Sequence, residues 1–292
     1  MSSSILTACS EVEFRNRLDL FPNNTKFDRA YVEKAKIRGW KTFQYLPPGT
    51  GTERLLDVGS MSGLYGPAYL DLWNYREAWL IGTEAPPNGV ITRASSDGRT
   101  YSFPSFNCNI ELQPWPLPDE HFHTVVCTEV LEHMIFDPAF VMNELNRVLV
   151  PGGHALITIP NAASDSSLTF LVNNMQPGFL RQYFSDALKT GKRNLDVVYN
   201  LGHFHEYTSA ELAALARATG FDILFLKGIS FFPPMLNSIQ FKLLRAAVRL
   251  LFPSSQRVRE DHLIALLQKR TFTPLAQLKN RYPQPLYRPL TA

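Results

Sequence analysis

The sequence predicts a doubly wound α/β fold, and two observations lead to that prediction. Short apolar runs alternate with helical patterns along the chain, and the first of them leads into a turn rich in glycine and serine. Alternating strands and helices are typical of a parallel sheet with right-handed crossovers. The predicted strands are residues 55–58, 78–82, 105–108, 124–127 and 154–159. We therefore expect a Rossmann-like sheet, mostly parallel with an antiparallel edge strand.

The first strand and its turn are residues 54–63, Arg-Leu-Leu-Asp-Val-Gly-Ser-Met-Ser-Gly. Small residues after such a strand let backbone N–H groups at the start of the next helix approach a ligand. No lysine follows Gly63, and Met61 stands where a dinucleotide-binding loop has its middle glycine. The turn thus favours a nucleoside ligand over a polyphosphate, and its alternative is a plain strand-to-helix connection.

The second strand, residues 78–82, is followed by the carboxylate of Glu84, 27 residues after Asp57. Doubly wound folds place an acidic side chain about 20 residues past the glycine loop, where it accepts hydrogen bonds from ribose hydroxyls. The longer offset fits an extended connection at residues 71–77. Residues 106–111 and 116–122 then precede the strand at 124–127.

This order of segments resembles the class I S-adenosylmethionine-dependent methyltransferases, particularly the small-molecule and ubiquinone-type O-methyltransferases. The matching segments are residues 55–63, 82–84, 108–111, 116–122, 127–134 and 144–161. The resemblance covers about residues 54–161 and continues more weakly through 202–221. It implies the class I methyltransferase fold and S-adenosyl-L-methionine as cofactor.

The resemblance also implies which residues contact that cofactor. The methionine part would lie on Asp57 and the turn, and the ribose on Glu84. The full set implied is Asp57, Gly59, Ser60, Gly63, Glu84, Asn109, Ile110 and Thr128, with Asn109 and Ile110 against the adenine. Asn109 stands where the family commonly has Asp, and the side chain of Met61 must turn away from the ligand. These two departures keep open a non-catalytic binding protein on a degenerate methyltransferase fold.

A second candidate site follows the fourth strand, at Glu129-Val130-Leu131-Glu132-His133. If a helix begins directly after that strand, Glu129, Glu132 and His133 share one face. Together with His203 they form a candidate site for Mg²⁺, Mn²⁺ or Zn²⁺. The pairing of this string with a later histidine resembles the metal site of small-RNA 2′-O-methyltransferases and of some ubiquinone-pathway O-methyltransferases.

The same residues also have a metal-free interpretation. Glu129 and Glu132 would then cap or solvate the helix, while His133 and His203 would hydrogen-bond to a lid. In that case His133 or His203 is the candidate general base, because an imidazole can take the proton of an acceptor hydroxyl near neutral pH.

The domain organisation is one methyltransferase domain with additions. Residues 1–53 form a predicted N-terminal helical cap, with a helix at 27–45, and residues 54–270 form the cofactor-binding domain. Residues 271–292, rich in Pro, Tyr and Arg, are a predicted irregular C-terminal arm. The domain carries a candidate substrate lid at 161–207, where Phe170, Phe179, Tyr183 and Phe184 are scattered, and a helical insertion at 230–260. Further elements are a helix at 138–149, a helix at 209–219, a strand at 221–228 and its antiparallel partner at 261–267.

The helical insertion contains a basic amphipathic helix at residues 237–251. Lys242, Arg245 and Arg249 recur at helical spacing opposite a leucine-rich face. Such a helix can make a peripheral membrane contact with anionic lipid or hold a lipid-linked substrate. The alternative is ordinary packing against the domain with a solvated basic edge.

Composition agrees with an ordinary globular protein, with 45% hydrophobic and 19% charged residues among 292. The formal net charge is +3, and the Lys and Arg residues concentrate after Leu180, so nucleic acid is not an expected partner. Cys9, Cys108 and Cys127 show no paired spacing and predict buried thiols in a reducing compartment. The first residues do not resemble a secretory signal, and we expect a cytoplasmic location.

The sequence therefore predicts transfer of a methyl group to a hydroxyl of a small or carrier-linked acceptor of sugar, polyketide or quinone type. An RNA 2′-O-methyltransferase with a metal site is the alternative enzyme within the same fold. The absence of a recognisable RNA-binding module weighs against it.

Overall fold

The computed structural model describes residues 9–19, 29–60, 63–83, 89–174, 203–232, 239–251 and 258–280. Within them, eight strands form one sheet in the order β3-β4-β2-β1-β5-β6-β8-β7. The strands are β1 Arg54–Val58, β2 Glu77–Gly82, β3 Val90–Ala94, β4 Thr100–Asn107, β5 Phe122–Thr128, β6 Leu149–Pro160, β7 Phe221–Ile229 and β8 His262–Lys269.

The centre of the sheet is parallel, as predicted. β1 pairs with β2 on one side and β5 on the other, and both pairings are parallel, as are those of β2 with β4 and β5 with β6. The apolar side chains of β1 and β5 are almost completely buried, because helices cover both faces of the sheet. The five predicted strands correspond to β1, β2, β4, β5 and β6.

Two strands run against the others. β8 is antiparallel to both β6 and β7, so the predicted antiparallel partner of β7 is present but lies between β6 and β7, one position from the edge. The other antiparallel strand, β3, forms the opposite edge by pairing with β4. Strand β3 was not predicted, although Asp97-Gly98 is a typical turn for a hairpin between β3 and β4.

In the described ranges, seven α-helices surround the sheet: α1 Glu11–Asp19, α2 Arg29–Phe43, α3 Gly66–Asp71, α4 Pro138–Val148, α5 Asp165–Val172, α6 Ser209–Ala218 and α7 Ile239–Leu251. Local sequence determines where several begin. Asp137 accepts a hydrogen bond from the backbone of Ala139 at the start of α4, and Thr208 with Glu211 forms a capping box for α6. No α-helix in the described ranges combines the length and apolar character that a membrane span requires.

The N-terminal helices pack on one face of the sheet through aromatic side chains. Phe14 of α1 and Phe43 of α2 are fully buried and make edge-to-face contacts with Trp73. Tyr65, which follows the glycine turn, donates a hydrogen bond from its hydroxyl to the carbonyl of Ala35 at 2.7 Å. These contacts hold α2 beside the turn after β1.

The predicted additions are described in part. Of the lid at 161–207, the structure describes residues 161–174, which include α5, and residues 203–207; Phe179, Tyr183 and Phe184 lie outside the described residues. The predicted helix at 237–251 is observed as α7. The C-terminal segment runs along α4, where the Asn143 amide donates to the carbonyl of Thr273 at 2.8 Å, and ends in a short 3₁₀ helix, Leu275–Asn280.

Candidate active site

The carboxyl ends of four neighbouring parallel strands bring the predicted cofactor residues to one edge of the sheet. In the order β4-β2-β1-β5, Asn109 and Ile110 follow β4, Gly82 ends β2, Gly59 follows β1 and Thr128 ends β5. Ligands of doubly wound folds bind at this edge of the sheet, next to the point where the strand order reverses. Glu84, the predicted ribose ligand, lies outside the described residues, as does Met61.

The turn after β1 requires glycine. Gly59 has φ +71°, and a Cβ added there would lie 2.7 Å from Cγ2 of Val130. Its N–H donates to the carbonyl of Ile81 at 2.9 Å, and the N–H of Gly63 donates to the carbonyl of Ser60 at 2.8 Å. Gly59 is exposed and Ser60 half-buried, so the backbone at these two residues is accessible to solvent at the sheet edge. Such a turn can accept a ligand at close range.

Asp57 lies beneath this turn rather than on it. Its side chain is buried, and Oδ2 accepts a hydrogen bond from the hydroxyl of Tyr69 at 3.1 Å. Burial raises the pKa of Asp57 to about 7, against the hydrogen bond from Tyr69, which lowers it. The buried Asp57 carboxyl therefore supports the strand end, and the exposed groups near it are backbone atoms of the turn.

The candidate adenine residues have different environments. The Asn109 side chain is exposed, and its Oδ1 accepts from the backbone N–H of Glu111 at 3.1 Å. Ile110 is buried, and its carbonyl accepts from the indole of Trp115 at 2.9 Å. A fixed apolar side chain beside an exposed amide is a suitable wall for a planar base.

The segment after β5 does not start a helix directly, which corrects one prediction. Glu129 has φ +56°, and Val130 is also outside the helical region with φ −127°. A single 3₁₀ turn then covers Leu131–His133. Because of this bend, Glu129 does not share a helical face with Glu132 and His133.

Glu129 instead joins two residues that the sequence analysis did not select. Its Oε2 lies 3.3 Å from Nε2 of His262 in β8 and 3.4 Å from a guanidinium nitrogen of Arg38 in α2. Burial alone would raise the pKa of the Glu129 carboxyl, but His262 and Arg38 together lower it to about 2. Glu129 thus connects the N-terminal helices to the edge of the sheet.

The other three candidate ligands do converge. Ligand atoms of Glu132, His133 and His203 all lie within 4.8 Å of one another. Oε1 of Glu132 is 3.9 Å from Nε2 of His133 and 4.0 Å from Nε2 of His203. The predicted cluster is therefore observed with three of its four members, since Glu129 is not among these ligand atoms.

Hydrogen bonds to Glu132 and Glu206 hold the segment of His203 in place. The carbonyl of Glu132 accepts hydrogen bonds from the N–H of Phe204 at 2.8 Å and from the N–H of His205 at 3.3 Å. Nδ1 of His203 lies 3.2 Å from Oε1 of Glu206. With Nδ1 engaged by a carboxylate, the other ring nitrogen points towards Glu132, as in many ligand or base histidines.

Glu132 is the most unusual group of the cluster. It is fully buried, and neither carboxyl oxygen has a hydrogen-bond partner among the residues that the structure describes. Burial first, and then the negative charge of Glu129, raises the pKa of Glu132 well above its usual value. A buried carboxyl without partners is costly, and a cation between it and two imidazoles would satisfy it. One carboxylate with two imidazoles is the donor set of several catalytic zinc sites, so these residues fit a divalent ion.

Sequence reasoning missed Arg38, Tyr69, His262 and Glu206. Arg38 and His262 come from helices and strands far from the glycine turn in the sequence, and no local pattern connects them to Glu129. Glu206 could have been predicted from the sequence, because a carboxylate three residues after a histidine can reach the imidazole ring.

Comparison with known proteins identifies the family of this chain. The profile of a family described as "Methyltransferase domain" matches residues 22–225. A search of curated proteins gave no match. Among solved structures, an S-adenosylmethionine-dependent methyltransferase from Mesorhizobium loti is 14% identical with a TM-score of 0.49, covering 79% of this chain and 97% of its own.

Two further solved structures are similar at the same level. One is a methyltransferase of Haloferax volcanii in complex with the activator Trm112, 14% identical with a TM-score of 0.48, covering 86% of this chain and 100% of its own. The other is the 1,6-didemethyltoxoflavin N1-methyltransferase of Burkholderia thailandensis, 14% identical with a TM-score of 0.47, covering 83% of this chain and 82% of its own. Since the family profile spans most of the chain, the protein belongs to the S-adenosylmethionine-dependent class I methyltransferases.

Proposed function

We propose that this methyltransferase acts on a hydroxyl oxygen of a small or carrier-linked acceptor, of sugar, polyketide or quinone type, at the cluster of Glu132, His133 and His203. The observation that carries the proposal is the convergence of two imidazoles and a buried, unpartnered carboxyl beside the predicted cofactor edge. A hydroxyl is a weak nucleophile, and its methylation needs a group that removes its proton or lowers its pKa.

The cofactor residues have one task, which is to hold the donor in line with the acceptor. S-adenosylmethionine supplies an electrophilic methyl group on a sulfonium. The backbone of Gly59, Ser60 and Gly63, supported from beneath by Asp57, would hold the methionine part. Asn109 and Ile110 would bind the adenine, Glu84 the ribose, and Thr128 would line the end of β5. Alignment of donor and acceptor supplies most of the rate in such a displacement.

The cluster has the second task, which concerns the acceptor proton. We propose that Glu132, His133 and His203 hold a divalent ion, and the donor set favours Zn²⁺ or Mn²⁺ over Mg²⁺. A bound ion supplies Lewis acidity that lowers the pKa of a coordinated hydroxyl. Without an ion, the imidazole of His203, oriented by Glu206, is the residue placed to accept the proton.

The test supplies methyl-labelled S-adenosylmethionine with three acceptors in turn: a sugar, a catechol or hydroquinone, and a phenolic polyketide. Products are identified by mass spectrometry, and each assay is repeated after EDTA treatment and after Zn²⁺ or Mn²⁺ is restored. Labelled methyl on oxygen, lost with EDTA and recovered with the ion, supports the proposal. A methyl group found on nitrogen would contradict O-methylation, and full activity in EDTA would assign the proton transfer to His203 without metal.

A further inference from the structure

Helix α7, Ile239–Leu251, carries a second apolar face that points away from the part of the protein that the structure describes. Its inner face packs against α5, and Val248 is buried there. On the opposite side of the helix, Ile239, Leu243 and Leu250 are exposed by 65% to 82%. Leu251, on the flank of that face, is 70% exposed. A surface helix normally exposes polar residues on this side, so the outer face needs its own explanation.

The helix is fixed in this orientation. Nε of Arg249 donates to Oδ2 of Asp165 at 2.6 Å, and Asp165 is buried at the start of α5. The end of β6 is held against the segment between α7 and β8. There the side-chain amide of Asn161 donates hydrogen bonds to the carbonyls of Val258 and Glu260 at 2.9 and 2.8 Å. Rolling α7 to bury its outer leucines would break the ion pair and expose Val248.

Helix α5, which packs beside α7, also exposes apolar side chains. Leu171 and Val172, in the last turn of α5, are more than half exposed. The start of α5 follows β6, whose carboxyl end lies at the same edge of the sheet as that of β5.

Charge indicates what kind of partner fits. Helix α7 has no acidic residue, and Lys242 flanks the outer face without an acidic partner among the residues described. Residues 181–292 contain 16 Lys and Arg against 7 Asp and Glu, a formal charge of +9, whereas residues 1–180 carry −6. A helix with an apolar face and a basic flank fits an anionic lipid surface. A second copy fits poorly, because a two-fold contact would place equal positive charges together.

We infer that the outer face of α7, with Leu171 and Val172 of α5, docks on an anionic lipid bilayer. The apolar side chains enter the interface, and Lys242 meets the lipid headgroups.

The test is flotation of the full chain with vesicles of equal parts phosphatidylcholine and phosphatidylglycerol, compared with pure phosphatidylcholine. We expect binding to the anionic vesicles, weakened by salt. The double variant Leu243→Glu, Leu250→Glu should reduce partitioning by more than about tenfold, since each change removes a large apolar side chain from the interface. Lys242→Glu should weaken binding to the anionic vesicles and leave binding to pure phosphatidylcholine vesicles unchanged. Leu224→Glu, an exposed leucine in β7, is the matched control and should bind as the wild type does.

Circular dichroism of each variant establishes that it is folded, so a loss of binding is not a loss of structure. The inference is overturned if the folded wild type stays in the lipid-free fraction, or if the double variant floats as the wild type does. It is also overturned if sedimentation shows that the wild type dimerises through this face, with the double variant monomeric and neither binding vesicles.

Discussion

Glu132 and His203 approach each other at the carboxyl edge of the sheet, with Oε1 of the carboxyl 4.0 Å from Nε2 of the imidazole. Glu132 lies between β5 and α4, whereas His203 lies near the end of the insertion between β6 and α6. The backbone hydrogen bonds from Phe204 and His205 to the carbonyl of Glu132 hold the two segments together. The contact thus joins the end of the cofactor edge to the return of the lid, and the proposed chemistry depends on it.

The first prediction separates the two glutamates of the Glu-x-x-Glu-His string. Glu132→Gln should abolish binding of Zn²⁺ or Mn²⁺, because it removes the one carboxylate among the three converging ligands. Glu129→Gln should retain the ion, since the Glu129 carboxylate is engaged by Arg38 and His262. Metal content after dialysis, measured by inductively coupled plasma mass spectrometry, checks both. Equal retention in the two variants would contradict a site at Glu132.

The second prediction concerns the histidines on either side of Phe204. His203→Ala should lower kcat about 10²–10⁴-fold, because His203 belongs to the cluster and is oriented by Glu206. His205→Ala is the matched control: this exposed imidazole lies 4.0 Å from Glu211 and should keep activity within about twofold of wild type. Steady-state assays with an accepted substrate measure both. A comparable loss in the two variants would mean that the segment acts through its fold and not through His203.

The sequence was sufficient to predict much of the sheet, because strands buried on both faces leave strong apolar runs and the glycine turn marks the first crossover. The sequence did not predict β3, the edge strand of the hairpin with β4, because most of its residues are exposed and its apolar pattern is weak. The position of β8 between β6 and β7 also depends on long-range pairing, which local patterns do not contain.

The candidate site was predictable to a similar extent. Glu132 and His133 were predicted from residue type and helical spacing, and His203 from the resemblance to methyltransferase metal sites. The structure brings the three together, although through a 3₁₀ turn at Leu131–His133 in place of the expected helix. Glu129 was misplaced because its backbone bends at φ +56°, a conformation that sequence rarely announces for a glutamate. The partners that engage Glu129, Arg38 and His262, could not be found locally, since each comes from a different part of the fold.

The third prediction tests the glycine turn with two positive-φ glycines. Gly98→Ala meets no atom within 4 Å, so its cost is the left-handed backbone alone, about 1–2 kcal/mol. Gly59→Ala has the same backbone strain and also meets Val130 at 2.7 Å, so we expect a larger loss of stability. It should also lose the thermal shift that S-adenosylhomocysteine produces, while Gly98→Ala keeps it. Retention of the full shift in Gly59→Ala would place the cofactor elsewhere.

The fourth prediction concerns the pH dependence of stability through Asp57. Its pKa is raised in the folded protein, from 3.8 to about 7, so the native state retains a proton that the unfolded chain releases. Stability from this group is therefore present at low pH and lost as pH rises from about 4 to 7, with a cost on the order of 4 kcal/mol above pH 7.

Asp57→Asn cannot ionise and avoids that cost. Relative to wild type, the variant should gain stability between pH 5 and pH 8 in chemical denaturation. The opposite trend, with wild type gaining on the variant as pH rises, would mean that the Asp57 carboxylate is stabilised in its charged form.

The most direct test of the account is a calorimetric titration of the protein with S-adenosylhomocysteine. A cofactor site on the turn at Gly59 predicts one site per chain with micromolar affinity, and a marked loss of affinity in Gly59→Ala. No binding up to millimolar concentration would contradict the account and indicate a methyltransferase fold that has lost its cofactor.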